Sequence, residues 1–403
     1  MRILIATQYF APEVTAAPLR LEPLAAGLAA RGHQVEVVCE IPNHPRGIVH
    51  PGFPRRPLTT RERDGYRVRY VWVRASPSKR ARARLAAYAT YAFSATAIGS
   101  ALSRPDVVFA SSPPLSVGAV GAALATRYRV PLVFDVRDLW PQIALALGEL
   151  EPGPVARGAA RLERWLYRHS VAVTTPTAAF RDHIAAIAGS AEKVHVLANG
   201  TTRAWLAAGE GPSDRGSIGL PDDVFVWTYA GNLGLSQDLE AAIEAAALLG
   251  DDYALLLLGD GTSRQRLEEL AAGRGAGTVL FMDSVPVAEA MQIMRASDAL
   301  LVSLAAHVEL GRSVPVKLYD SCAVGRPVIV AAPGEPRRLM QEAGAALTLD
   351  PGDPVALADA VSSLRDDSAL GERLADAGRS FAAKHLREDG VEQLERLLEE
   401  VTA

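Results

Sequence analysis

Cysteine is almost absent from this 403-residue chain. Its two cysteines, Cys39 and Cys322, each sit in an apolar stretch, which excludes a disulfide framework or a thiolate metal cage. They read as small buried hydrophobes in a reducing compartment. Long hydrophobic runs and low-complexity tracts are missing as well. The opening MRILIATQYF carries one positive charge and a four-residue apolar run, too short for a leader and suited to a first buried strand. Glycine is missing from the first strand-to-helix turn, Gln8–Pro18, and Arg264 stands where a third glycine would have to follow Gly259-Asp260-Gly261. Those glycines let a dinucleotide pyrophosphate approach the backbone, so an NAD or FAD enzyme is excluded.

What is there is a globular composition, 49% hydrophobic and 22% charged, in a chain too long for one ordinary core. The net charge of −4 conceals an asymmetry. Residues 1–170 carry 23 Lys and Arg against 12 Asp and Glu, and residues 171–403 carry 19 against 34. A basic first half points to an anionic partner such as a membrane surface or a lipid phosphate. Nucleic acid does not fit, because no aromatic-rich basic groove or nucleic-acid motif accompanies the charge.

Apolar runs alternate with helical patterns throughout, the signature of parallel βαβ units. Strands are expected at Ile3–Thr7, Val35–Cys39, Val68–Val73, Val107–Ser111, Leu132–Val136 and Val171–Thr174. A second series is expected at Phe225–Ala230, Ala254–Leu258, Val279–Phe281, Ala299–Ser303 and Pro327–Val330. Leu21, Leu24 and Leu28 form the apolar face of a first helix that Pro18 opens and Gly32 closes. The expected organisation is an N-terminal Rossmann-like domain over 1–200, a Gly/Pro/Asp/Ser-rich linker over 201–223, a second Rossmann-like domain over 224–386, and a final helix within 387–403. The uncharged segment Leu85–Ser103 follows Lys79, Arg80, Arg82 and Arg84. It is long enough to span a bilayer but too rich in Ala, Ser, Thr and Gly to insert. It reads as a helix buried in its own domain or as an interfacial helix with Tyr88, Tyr91 and Phe93 at the lipid boundary; the basic first half favours the second.

In two-domain α/β proteins, ligands gather at the carboxyl ends of the strands, in the cleft between the sheets. Four segments bring suitable groups there. Thr7–Glu13 leads to Arg20 past the small Ala16 and Ala17. Phe134–Pro141 places Arg137, Asp138 and Trp140 directly after a strand. Asp138 is suited to orient a hydroxyl and Arg137 to hold a phosphate, or an Arg–Asp pair simply fixes the loop. Tyr229–Gly234 offers Gly231 and Gly234 for close approach of a diphosphate, beside Asn232. Glu309–Asp320 puts Pro315 at a helix start, with Arg312 and Lys317 at its positive end as an anion site. Asp320, one turn on, can accept from ribose hydroxyls or pair with the lysine.

Taken together with Pro42–Gly47, Ser112-Pro113-Pro114 and Gly325-Arg326-Pro327-Val328, these segments resemble the family-four retaining glycosyltransferases, and among them the capsule and O-antigen transferases of fucosamine type. The resemblance runs from the first strand to residue 330. It implies the α/β GT-B fold, two Rossmann-like domains with a deep interdomain cleft, and a hexosyl transfer that retains anomeric configuration without metal or cofactor. The second domain would bind a nucleoside diphosphate sugar, UDP-sugar favoured, through Gly231, Asn232, Gly234, Glu309, Arg312, Lys317 and Asp320, with Val285 in the segment bordering the base. The first would present a polyprenyl-linked or other cell-surface glycan, with Glu13, Arg20 and His44 on the acceptor side. Asp138, Arg137 and Lys317 would be catalytic, and an oxygen of the departing diphosphate would take the acceptor proton. The setting implied is cytoplasmic, peripheral on the inner membrane face.

Three departures separate this chain from the family pattern. The usual pair of glutamates eight positions apart is replaced by Arg312 and Asp320, with Glu309 as a substitute for the first. Asn232 and Gln237 stand where an Arg and a Lys commonly grip the phosphates, and Arg137 replaces the cleft histidine. Three alternatives stay open: a soluble small-molecule acceptor, a nucleotide-sugar 2-epimerase, and a degenerate scaffold without catalysis.

Overall fold

The computed structural model describes the chain apart from residues 14, 15, 45, 54, 55, 79, 147, 149, 210–214, 217, 218, 220–222 and 275–278. It forms two α/β units, Met1–Ala198 with Arg387–Ala403, and Asn199–Leu386.

The first unit is built on eight strands: β1 (Arg2–Thr7), β2 (Gln34–Glu40), β3 (Leu58–Arg63), β4 (Tyr66–Val71), β5 (Val107–Ser112), β6 (Leu132–Val136), β7 (Ala172–Thr175) and β8 (Val194–Val196). They lie in the order β3-β4-β2-β1-β5-β6-β7-β8, all parallel except β3, which pairs antiparallel with β4. The helices are α1 (Ala16–Ala30), α2 (Ala81–Gly99), α3 (Ser116–Tyr128), α4 (Gln142–Ala146), α5 (Pro154–His169) and α6 (Ala178–Ala188). Successive strand residues point to opposite faces of the sheet, and both faces are covered. Leu4, Ala6, Val108 and Phe134 pack under α2, α3, α5 and α6. Ile3, Ile5, Val37 and Phe109 pack under α1 and the final helix.

The second unit opens with α7 (Arg203–Ala208) and holds β9 (Phe225–Ala230), α8 (Glu240–Leu249), β10 (Tyr253–Leu258), α9 (Arg264–Arg274), β11 (Val279–Met282), α10 (Val287–Ala296) and β12 (Ala299–Ser303). It continues with α11 (Val308–Gly311), α12 (Val316–Ala323), β13 (Val328–Ala331), α13 (Glu335–Ala343), β14 (Leu347–Leu349), α14 (Pro354–Asp366) and α15 (Ser368–Ala383). Its strands lie in the order β11-β10-β9-β12-β13-β14, and every pairing is parallel. This is a doubly wound Rossmann sheet whose strand order reverses between β9 and β12. The final helix, α16 (Arg387–Thr402), returns to the first unit, where it packs on α1.

Several expectations change in detail. The third expected strand lies two residues earlier, and it is preceded by β3, whose sequence LTTRER shows no apolar alternation. Of the expected linker, α7 buries Trp205 in a core of the second unit, and most of the remainder lies outside the described residues. Among the described residues no helix is long and apolar enough to cross a membrane. In α2, Tyr91 is fully buried and donates to the carbonyl of Thr7 at 2.7 Å, so it is not at a lipid boundary; Phe93, 76% exposed, faces outward. Lys79 lies outside the described residues.

Candidate active site

Each unit gathers polar side chains at the carboxyl ends of its strands. In the first unit the reversal falls between β1 and β5, and the loops after β1, β2, β5 and β6 meet there. Asp135, fully buried in β6, is the hub. Its Oδ1 accepts from Arg20 at 3.2 Å and from the Thr174 hydroxyl at 2.8 Å, and its Oδ2 accepts from Ser111 at 2.6 Å. Arg20 also donates to the carbonyls of Leu197 and Ala198. Arg20 is therefore held in the interior by one carboxylate and two carbonyls.

The next two residues stand differently. The Arg137 Nε donates to the Ser112 carbonyl at 2.9 Å and lies 4.0 Å from Asp135 Oδ2, while one of its Nη atoms is buried with no hydrogen-bond partner among the described residues. The loop is thus fixed by an Arg–Asp pair, but with Asp135 and not with Asp138. Burial lowers the guanidinium's proton affinity and raises that of the Asp138 carboxyl, against the pull of Arg137. The pair presents a spare N–H donor and a carboxyl poised to accept.

Glu13 and His44 are brought together. The Glu13 carboxylate accepts from the backbone N–H groups of Asn43 at 2.7 Å and His44 at 2.8 Å. Burial nevertheless pushes its pKa up to about 7. Behind it, Glu40 accepts from Gln8 and Asn43, each at 2.7 Å, and burial together with the Glu13 charge raises its pKa well above the carboxylate range. The His44 ring stands 4.9 Å from that of Tyr9, with Nδ1 buried and without a partner among the described residues.

In the second unit the reversal between β9 and β12 lies beside Gly231–Gly234 and the segment entering α11 and α12. Lys317, in the first turn of α12, leans back over the β9 loop. Its Nζ sits 3.9 Å from the Tyr229 ring centroid and is bonded to the Tyr229 hydroxyl. Gly231 has φ +139°, and a Cβ there would stand 2.8 Å from the ammonium, so only glycine leaves the lysine its place. Gly259, with φ +140°, packs against the Gly231 carbonyl, where a Cβ would come within 2.0 Å. That close packing of two strand-to-helix loops requires glycine at position 259. Among the described residues Lys317 has no carboxylate partner, and burial lowers its pKa to about 7.

The remaining donor-side residues are dispersed among other partners. Asn232 and the Gly234 N–H both bond Gln237 Oε1, closing the β9 loop on itself. Arg312 pairs with Glu309 at 3.2 Å, and the Glu309 N–H is capped by His307. Asp320 is buried, and its Oδ1 accepts from the Thr201 hydroxyl at 2.9 Å, so it anchors α12 and does not form the surface pair with Lys317. Val285, in the loop after β11, packs partly buried against the core beneath α10. Among the described residues one group could hold a metal: His33, Glu395 and Glu399 offer ligand atoms within 4.8 Å of one another. It lies at the amino end of β2, opposite the site residues, and is already joined by His33–Glu395 and Arg31–Glu395 ion pairs.

Residues 17–200 match the family described as Glycosyl transferase 4-like domain, and residues 212–381 match Glycosyl transferases group 1. Both matched families are glycosyltransferase families, and the chain is a glycosyltransferase. It is 25% identical over 341 residues to WcaI of Escherichia coli, a relative named for colanic acid biosynthesis, covering 82% of this chain and 83% of WcaI. It is 31% identical over 185 residues to the lipopolysaccharide core biosynthesis glycosyltransferase LpsD of Rhizobium meliloti, covering 46% of this chain and 51% of LpsD. Its fold is similar to Anabaena HepE, solved with UDP and glucose, with a TM-score of 0.74, 18% identity, and coverage of 99% of this chain and 100% of that one. The transferase thus has the GT-B fold of two Rossmann-like domains. Asp135, Gln8 and Tyr229 fall inside the candidate segments without being singled out there, and Glu40 falls outside them; the structure packs all four against the candidate residues. Only the position of Asp135 two residues before Arg137, in a strand that is otherwise apolar, signalled a buried charge needing a partner.

Proposed function

We propose that this transferase moves a hexosyl unit, with retained configuration and without metal, from a UDP-sugar to a polyprenyl-linked glycan, working as a peripheral protein on the cytoplasmic face of the membrane. One observation carries the donor half of the reading. Lys317 is a desolvated cation without a counter-ion among the described residues, seated over a glycine turn at the point where a doubly wound sheet collects its ligand. A diphosphate is the natural partner of such a group. As the sugar–phosphate bond breaks, negative charge grows on the diphosphate, and an ammonium already fixed there stabilises that charge more than it stabilises the ground state. Asp138 then orients the acceptor hydroxyl, Arg137 offers its spare N–H to an anionic oxygen, and Glu13 with His44 lines the acceptor side. The kinship with WcaI and LpsD, and the UDP in HepE, support a glycan acceptor and a UDP donor.

Replacing Lys317 by Ala should lower transfer on the order of 100-fold or more, the size seen when one preorganised donor is removed. The unfolding temperature should hold or rise, because a desolvated charge is lost. Transfer by Lys317→Ala at near-normal rate, with UDP-sugar as donor, would overturn the role. A thermal-shift comparison of UDP, GDP, TDP and CDP should show the largest shift with UDP.

A further inference from the structure

The charges of the first unit are sorted by the faces of its sheet. On one face, α2, α3, α5 and α6 carry eight arginines against two acids, the buried Glu163 and Asp182, which pairs with Arg181. On the other, α1 and α16 carry seven acids against three arginines. The basic face has an ordered core to it. Arg157, Arg161, Arg164 and Arg168 follow one another on α5 at intervals of four, three and four residues. On a helix that spacing keeps them within about 60° of arc, in a stripe roughly 16 Å long. All four are exposed, and among the described residues none has an acid at ion-pair distance. Like charges so spaced repel one another, so the stripe costs the free protein stability. Beside it Trp165 is 42% exposed, its ring stacked on His169 with centroids 4.5 Å apart. In the same helical layer Leu85 and Phe93 of α2 are 51% and 76% exposed.

We propose that this arginine stripe, with Trp165 at its edge, is the surface by which the protein docks on an anionic lipid bilayer. Guanidinium groups match phosphate oxygens with two parallel hydrogen bonds and shed water more readily than ammonium groups. An indole settles at the headgroup level, where one edge is wet and the ring is not. An acidic polymer would meet the arginines equally well but would leave Trp165, Leu85 and Phe93 without an apolar partner; a bilayer satisfies both. The inference rests on the proposal of a membrane-bound acceptor, yet it concerns a surface that takes no part in donor binding.

The test uses the full chain and two vesicle types, phosphatidylglycerol with phosphatidylcholine in equal parts, and phosphatidylcholine alone. The wild type should float with the anionic vesicles, stay behind with the neutral ones, and be released by salt. Arg161→Gln with Arg164→Gln should weaken flotation on the order of tenfold, and Trp165→Ala should weaken it further. UDP binding by calorimetry should be unchanged in all of these variants, which shows them folded and separates this surface from the donor site. Wild-type flotation that is unaffected by the α5 substitutions overturns the stripe while leaving membrane association standing. A wild type that does not float but is retained on immobilised polyphosphate identifies an acidic polymer and overturns the bilayer. Loss of UDP binding in the wild type would strike the donor reading and not this one.

Discussion

At the scale of single residues, the choice of lysine at position 317 is informative in a chain where lysine is rare. Only Lys79, Lys193, Lys317 and Lys384 occur, and every other basic group among the 42 is arginine. Arginine stays charged under almost any burial, whereas a lysine amine can be tuned to lose its proton. Burial has brought Lys317 down to about 7, far below the ordinary 10.5. Between those two values the unfolded chain holds a proton that the folded chain lacks, so the unliganded protein gains stability as pH rises through that window. A bound diphosphate favours the charged amine and restores the proton. UDP binding at about pH 8 should therefore take up close to one proton, measured as a dependence of the calorimetric heat on the buffer's ionisation enthalpy. Uptake should vanish in Lys317→Ala, and its absence in the wild type would remove the lysine from the diphosphate site. The buried Arg20–Asp135 pair makes a second residue-level case. Asp135→Asn leaves Arg20 in the interior without its counter-charge, which should cost about 3–5 kcal/mol in urea unfolding. A loss under about 1 kcal/mol would mean the pair is better solvated than its burial indicates.

At the scale of elements, α4 and α5 are tied by a proton. Glu163 on α5 is 2% exposed and accepts from Tyr167 at 3.0 Å and from Gln142 of α4 at 3.3 Å. Burial raises its pKa from 4.5 to about 7. The folded state holds this proton where the unfolded state has released it, so the contribution is complete below 4.5 and is lost as pH rises through about 7. Glu163→Gln copies the protonated side chain, and its amide can donate to Gln142 Oε1, which has no partner among the described residues. The variant should match wild-type stability in acid and exceed it on the order of 2 kcal/mol at about pH 8. Equal stability at both values would show that the carboxyl is already ionised. Such couplings were invisible in the sequence, because no local pattern brings Gln142 to Glu163, 21 residues on. Elements were legible where burial imposes a pattern. β9, β10, β12 and β13 are buried runs between turns, and Leu21, Leu24 and Leu28 mark α1 by their spacing. β3 was not legible, since an exposed edge strand needs no apolar alternation. The Asp64-Gly65 pair, with φ 41° and 81° in the turn before β4, is the local signal of a hairpin. In the site, Lys317 and Gly231 could be found because helix start and glycine turn each have a local signature. The Arg20–Asp135 pair was not legible, because the two residues lie 115 positions apart in sequence.

At the scale of the whole molecule, the chain leaves its first unit at Ala198 and returns to it at Arg387, so the second unit is a contiguous insertion of residues 199–386. The insertion has its own cores on both faces of its sheet. The first unit depends on the returning segment: α16 buries Val391, Leu394, Leu397 and Leu398 against α1 and the sheet, with exposures of 5%, 1%, 8% and 0%. At about 1.5–3 kcal/mol for each buried side chain, the four contribute about 6–12 kcal/mol, an upper figure because the unfolded chain is itself partly compact. That is comparable to the entire stability of an ordinary domain, about 5–15 kcal/mol. Residues 1–198 alone should therefore fail to show a cooperative urea transition, while residues 199–386 alone should unfold cooperatively and still bind UDP. The two ends of the first unit are neighbours, since a Cβ at Gly390 would stand 3.5 Å from Leu197. Joining 1–198 to 387–403 through a short Gly/Ser linker should then restore the transition that 1–198 lacks. A fragment 1–198 as stable as this closed chain would show that α16 covers the sheet without holding it together.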